Sequence, residues 1–133
     1  MRQGHKRILT MLLDTSAWVE YFKGTKEGEK VKSIIKNNVI YISPITIAEL
    51  SNWCYKNNKD PVEYIKIIKN LSTYLELSEE ILNLSGKIYY RLRKKNKKIG
   101  LIDCIIYTTA QIHGLELITK VNDFKNLPGT QLL

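Results

Sequence analysis

Four acidic side chains are singled out by where they fall along the chain. Asp14 closes the apolar run Ile8-Leu9-Thr10-Met11-Leu12-Leu13 and is followed by Thr15-Ser16-Ala17-Trp18. Glu49 lies about one and a half turns into helix-like sequence that starts at Ser43-Pro44, directly after Val39-Ile40-Tyr41-Ile42. Asp103 stands in the first turn of the apolar segment from Leu101 to His113, and Asp123 follows Leu115 to Thr119 within Lys120-Val121-Asn122-Asp123-Phe124. Each acid therefore falls at the carboxyl end of a strand or early in the helix that follows, which is the edge where open α/β sheets bind ligands. Several carboxylates gathered in one cleft repel one another unless cations neutralise them. An oxygen-only set without His or Cys selects hard cations, Mg²⁺ or Mn²⁺, over zinc. Such ions lower the pKa of a bound water and stabilise charge on phosphoryl oxygens, which is the chemistry of in-line phosphodiester hydrolysis.

Taken singly, each acid has a plainer explanation. Asp14 or Ser16 serves as a helix cap, Glu49 as an exposed helix residue, Asp103 as an anion at the positive end of a helix, and Asp123 as an Asx turn. The elements that must bring them together are legible in the apolar spacing. The run ending at Leu13 reads as a strand buried on both faces of a parallel sheet. A short helix to Phe22 follows, and after the break at Gly24 a second helix carries Val31, Ile34 and Ile35. Val39 to Ile42 is the second strand. Ser43-Pro44 predicts a helix start with Ser43 as the cap, and Asp60-Pro61 predicts another. Tyr74 to Leu77 is a short third strand, and Ser78 with Glu79 and Glu80 opens a helix whose stripe is Ile81, Leu84, Ile88 and Leu92. Leu101 to His113 is apolar nearly all round and predicts a buried helix. Leu115 to Thr119 is the fourth strand, and the tail from Leu127 reads as a turn and a short edge strand.

With 133 residues, 44% of them hydrophobic and 26% charged, the chain is expected to be one domain with a core of its own, residues 1–7 reading either as a loose basic arm or as a leader, with Met11 an alternative start. Cys54 and Cys104 fall inside apolar helical patterns, so no disulfide framework is implied and a reducing cytoplasm is expected. No stretch approaches membrane-spanning length. The net charge of +8 favours an acidic partner, although a lysine-rich proteome gives the same balance. The charge is concentrated in Arg91-Leu92-Arg93-Lys94-Lys95-Asn96-Lys97-Lys98, with no acid anywhere between Ile81 and Ile102. Arg91, Arg93, Lys94, Lys95, Lys97 and Lys98 suit a solvated helix end. They also precede Asp103 by only a few residues, so a phosphate backbone reaching that carboxylate would pass them.

Four short motifs resemble the PIN-domain proteins, and most of all the small VapC-type ribonuclease toxins of VapBC toxin–antitoxin pairs. They are Leu12-Leu-Asp14-Thr-Ser-Ala-Trp18, Ser43-Pro-Ile-Thr-Ile-Ala-Glu49-Leu50, Gly100-Leu-Ile-Asp103-Cys104, and Leu117-Ile-Thr-Lys-Val-Asn-Asp123-Phe124 followed by Leu127-Pro-Gly. The resemblance spans nearly the whole chain from Ile8 onward. It implies a three-layer α/β/α domain with a central, mainly parallel sheet of four to five strands and a metal-dependent ribonuclease site. Asp14, Glu49 and Asp103 match the family's acidic ligands, and Ser16 matches its hydroxyl beside the first aspartate. Family members often carry Thr-x-Asp-x-Asp-Phe where this chain has Thr119-Lys-Val121-Asn-Asp123-Phe124, so Val121 occupies an expected acidic position. That leaves Asp123 or Asn122 to serve through water, or the second of two metals to bind weakly. The resemblance further implies a homodimer and a cognate VapB-type antitoxin whose tail occupies the cleft.

The expected function is a cytoplasmic Mg²⁺- or Mn²⁺-dependent endoribonuclease of VapC type acting on RNA. Two other readings remain open at this point: a PIN nuclease of RNA processing without an antitoxin, and a catalytically silent PIN-like module that binds RNA or protein, which Val121 favours.

Overall fold

The computed structural model describes residues 7–133, so the basic arm expected over 1–7 lies outside the described residues apart from Arg7. The elements run β1 (Thr10–Leu13), α1 (Thr15–Lys23), α2 (Lys26–Asn37), β2 (Val39–Ile42), α3 (Ile45–Lys56), α4 (Pro61–Leu71), β3 (Thr73–Tyr74), α5 (Glu79–Arg93), α6 (Leu101–Ile112), β4 (Glu116–Thr119), a 3₁₀ turn (Asn122–Phe124) and β5 (Thr130–Leu132). Helix starts follow the side chains that can accept orphan N–H groups. Thr25, Asp60 and Ser78 each bond the backbone N–H two or three residues on, opening α2, α4 and α5. Helix α1 ends where Gly24 enters the left-handed region, at a φ of 67°, and closes two carbonyls of the last turn.

All four pairings in the five-stranded sheet are parallel, in the order β3-β2-β1-β4-β5. Parallel neighbours need crossovers, and α1 to α6 supply them on both faces. The alternation along the strands divides the core into two. Met11 and Leu13 of β1, Ile40 and Ile42 of β2 and Ile118 of β4 pack with Ala17, Trp18, Val31, Leu50, Cys54 and Ile68 of α1 to α4. Leu12 and Leu117 point the other way, against Ile99, Cys104, Ile106, Tyr107, Ala110 and Phe124. This is the three-layer α/β/α arrangement. The chain leaves β1 toward β2 and β3, then returns to add β4 and β5 on β1's other side. The carboxyl ends of β1 and β4 thus flank the point where the strand order reverses, where sheets of this kind open a crevice.

Four local expectations need correction. The first strand begins at Thr10, and Ile8 is 70% exposed with Leu9 also exposed, because β2 pairs only with Thr10 to Leu12. Pro44, not Ser43, holds the cap position of α3; the Ser43 hydroxyl still accepts from the N–H of Ile45 at 3.3 Å. The third strand is Thr73–Tyr74 rather than Tyr74 to Leu77, a two-residue edge paired with Tyr41 and Ile42. The α6 helix is buried only along its middle: Leu101, Ile102 and Ile112 are exposed at its ends, beyond the reach of α5 and the sheet.

Candidate active site

Asp14 sits one residue past β1, and its backbone N–H still donates to the carbonyl of Ile118 at 3.1 Å, so the β1–β4 ladder places it. The side chain is buried. Its Oδ1 accepts from the Ser16 hydroxyl at 2.6 Å and from the N–H of Ala17 at 2.9 Å, and its Oδ2 accepts from the Thr119 hydroxyl. Both hydroxyls are themselves held in place. The N–H of Lys120 donates to Ser16 Oγ at 2.9 Å, and the N–H of Val121 donates to Thr119 Oγ1 at 2.9 Å. The segments following β1 and β4, distant in sequence, are stitched together around one carboxylate. The capping explanation for Asp14 is therefore correct as far as it goes, but a cap needs only one of these bonds.

Glu49 comes from the second turn of α3 and turns toward the same place. Its Oε1 accepts from the Thr15 hydroxyl at 2.7 Å, and that hydroxyl lies 3.1 Å from the hydroxyl of Thr46. Asp103 enters from the first turn of α6, whose Gly100 cap offers no side-chain bond. Asp14, Glu49 and Asp103 line a single cleft of about 400 Å³, together with Thr15, Ser16, Val19, Glu20, Asn52, Trp53, Lys56 and Val121. The electrostatics record the crowding. Burial, and then the charges of Asp14, Glu49 and Asp123, push the Asp103 carboxyl up from the ordinary 3.8 to about 6. Burial raises Asp14 as well, with Glu49 adding to the rise and the Ser16, Thr119 and Ala17 donors opposing it.

Asp123 and Asn122 stand apart from these three. Neither lines the cleft; Asn122 is exposed in the 3₁₀ turn, and Asp123 Oδ1 accepts from the Asn96 amide at 2.9 Å. The Asn96 side-chain Oδ1 in turn accepts from the N–H of Lys98 at 2.9 Å, which fastens the basic segment beside the fourth acid. Arg91, Arg93, Lys94, Lys95, Lys97 and Lys98 are all exposed. Val121, at the expected acidic position, presents an apolar side chain to the cleft instead.

Sequence reasoning missed several contributors. Glu20, buried on α1, accepts from the Thr25 hydroxyl at 2.7 Å and pairs with Lys120 at 3.3 Å and Lys23 at 3.7 Å. Burial works to raise its pKa, but the Thr25 and Lys120 donors and the charges of Lys23 and Lys120 outweigh it and hold the carboxyl below its usual range. The roles of Thr15, Thr46 and Thr119 went unread because a threonine at a strand or helix end is ordinary. The one available signal was the pair of hydroxyls after β1, at Thr15 and Ser16, and the hydroxyl that ends β4, at Thr119.

Among the described residues, no three His, Cys, Asp or Glu side chains lie close enough to grip one ion between them. The donor set nevertheless fits a hard cation. Asp14, Glu49 and Asp103 share a cleft with Glu20, which is already paired with Lys120, and without any His or Cys, and Mg²⁺ characteristically keeps several waters and uses only one or two carboxylates. Burial first, and the neighbouring carboxylates after it, raise the pKa of Asp14 and Asp103, and a cation held there would oppose both effects.

Comparison with known proteins follows the same lines. A family model described as PIN domain matches residues 11–129. The chain is 33% identical over 99 residues to Ribonuclease VapC1 of Rickettsia felis, covering 70% of this chain and 74% of that protein. It is 28% identical over 121 residues to Ribonuclease VapC11 of Mycobacterium tuberculosis, covering 86% and 88%. Among solved structures it is similar to VapBC2 from Rickettsia felis bound to a DNA fragment from their promoter. There the TM-score is 0.73 at 25% identity, over 94% of this chain and 98% of that one.

Proposed function

The chain belongs to the PIN-domain family, and from that premise we propose that it is a metal-dependent endoribonuclease, the toxin of a toxin–antitoxin pair. The observation that carries the reading is the convergence of Asp14, Glu49 and Asp103, from β1, α3 and α6, on one cleft at the reversal point of the sheet. The ribonuclease names of the relatives and the VapBC assembly of the similar structure support it.

In this reading Asp14 and Asp103 hold Mg²⁺ or Mn²⁺, with Glu49 close by and Asp123 acting from outside the cleft through water. The bound ion supplies a water of lowered pKa and stabilises charge on the phosphoryl oxygens. The protein's own part is positional. Ser16, Thr119 and the Ala17 N–H fix both oxygens of Asp14 in one orientation, and Thr15 fixes Glu49. Such preset side chains need no rearrangement when substrate arrives. The Glu20–Lys120 pair holds the chain after β4, whose N–H groups keep Ser16 and Thr119 aimed. The basic segment from Arg91 to Lys98 attracts the RNA backbone, which a cleft of carboxylates would otherwise repel.

The same reading includes a VapB-type antitoxin that covers the cleft, a homodimer, and action in the cytoplasm. The free, buried Cys54 and Cys104 suit a reducing compartment, and among the described residues no helix is long and apolar enough to cross a membrane. A second reading, a silent module that binds RNA without cutting it, draws on Val121 in the cleft wall and the missing three-acid grip. Labelled RNA incubated with purified protein and Mn²⁺ separates the two. Cleavage that disappears with EDTA and in Asp14→Asn supports the nuclease; tight binding with no cleavage supports the module.

A further inference from the structure

The outward side of α5 carries a pattern that the cleft does not use. Gly86, Tyr89, Tyr90, Arg93 and Lys94 follow one another at helical spacing, and Lys97 continues the line beyond the helix end. Together they line a groove of about 740 Å³ that shares no residue with the carboxylate cleft. The opposite stripe, through Ile81, Ser85 and Ile88, faces the core, joined from this side by the half-buried Tyr89 and by Arg93, which donates to the Ile99 carbonyl at 3.4 Å, while Gly86, Tyr90 and Lys94 stay exposed. Tyr90 is 64% exposed, far more than packing on its own fold requires. The Lys94 ammonium lies 4.4 Å from its ring centroid, and the Arg93 guanidinium lies 5.3 Å from that of Tyr89 while bonding its hydroxyl at 2.8 Å.

Gly86 adds an independent sign. A glycine inside a helix costs about 1 kcal/mol relative to alanine. Here a Cβ would meet nothing within 4 Å, so the fold itself does not demand the missing side chain. What the glycine does is leave the groove open beside two tyrosines.

We propose that this groove is a second RNA-contact site, a platform on which unpaired nucleotides stack while their phosphates meet Arg93, Lys94 and Lys97. Aromatic faces interleaved with cations are the recognition chemistry of single strands, since every base offers a π-face and every linkage a negative charge. Charge complementarity selects this occupant. The segment from Ile81 to Ile102 contains no acid, so a second copy seated on the same face would bring like charges together. The choice of RNA rather than DNA rests on the nuclease reading above. The Lys98 N–H donates to Asn96 Oδ1 and the Asn96 amide donates to Asp123, so the platform's end is fastened beside the fourth acid.

The test is binding of a labelled single-stranded oligoribonucleotide to the full chain in EDTA, where cleavage plays no part. Tyr90→Ala should weaken binding roughly 5- to 100-fold, and Tyr90→Phe should stay within about twofold of the natural protein. Gly86→Leu, which fills the groove without touching charge, should weaken binding too. Lys94→Gln should lower the salt slope by about 0.7, whereas Lys66→Ala on α4 should not. No binding by the natural protein, equal binding by Tyr90→Ala and Tyr90→Phe, or a loss that appears only as a change from dimer to monomer would overturn the platform. The two readings fail separately. Absence of Mn²⁺-dependent cleavage leaves the binding result standing, and unchanged binding by Tyr90→Ala leaves the nuclease standing.

Discussion

The carboxylate cleft and the outer stripe of α5 are built on opposite plans. The cleft is assembled from β1, α3 and α6, and its central acid is gripped by donors from both ends of the chain, Ser16 on one side and Thr119 on the other. The stripe is a single stretch of helix with consecutive turns and exposed side chains. In the cleft, therefore, chemistry and stability reside in the same atoms, and a change to one alters the other. On the stripe they are more nearly separable, because Gly86, Tyr90 and Lys94 take no part in the core and only Tyr89 packs against it.

The sharpest break of that contrast comes from Asp14→Ala. It should reduce cleavage to background and also destabilise the protein by about 1–3 kcal/mol, since the Ser16, Ala17 and Thr119 donors lose their buried acceptor. Chemical denaturation alongside the cleavage assay checks both, and a fully stable but inactive variant would show that the cleft is not self-supporting. Asp103→Asn should abolish cleavage with the opposite effect on stability. The folded pKa of about 6 lies above the ordinary 3.8, so the contribution of this group to stability is complete below pH 3.8 and is lost as the pH rises through 6. In EDTA near neutral pH, Asp103→Asn should therefore be more stable than the natural protein, by on the order of 1–2 kcal/mol after solvent screening. Thermal melts between pH 4 and pH 8 test this. Added Mn²⁺ should stabilise the natural protein most above pH 6 and the variant little.

Glu20→Gln lies between the two regions in kind, since it leaves Asp14, Glu49 and Asp103 in place and loosens the chain that aims Ser16 and Thr119. It should cost about 1 kcal/mol and lower cleavage several-fold, with Lys120→Met giving a similar loss. If both variants cleave normally, the Asp14 donors are aimed by the sheet alone. The smallest expected effect is on the stripe. Gly86→Ala should raise stability by about 0.5–1 kcal/mol, as thermal melts would show, because nothing opposes the added methyl group. A fall instead would mean that the two regions are less separable than the packing indicates.

How much of this could be read in advance differs between the same two regions. The α5 stripe is local, so the caps, apolar spacing and basic run of residues 78 to 98 were visible in order; only the groove between the tyrosines was not. The cleft depended on topology. That Asp14, Glu49 and Asp123 each follow a strand was legible, because apolar runs and turn residues mark strand ends, whereas Asp103 was marked by the start of an apolar helix after the basic run. That Asp14, Glu49 and Asp103 line one cleft while Asp123 turns to Asn96 was not, because it depends on which strands become neighbours. Glu20 escaped notice for a related reason: an acid among Trp18, Val19, Tyr21 and Phe22 looks like the wet side of a short helix until Lys120 arrives from the far end of the chain. The early start read for the first strand has the same origin, since Ile8 and Leu9 are apolar enough for a strand but β2 pairs only from Thr10 onward.

One consequence concerns inheritance rather than chemistry. Gly28 packs so tightly beneath α1 that any side chain there would collide with the carbonyl of Glu20. A genetic selection for chains that have gone silent should accordingly return replacements at Gly28 beside those at the acids, although that residue touches neither ion nor RNA. During divergence of such proteins, the first turn of α2 should drift at the exposed Lys26 and Lys30 and stay frozen at this one small residue.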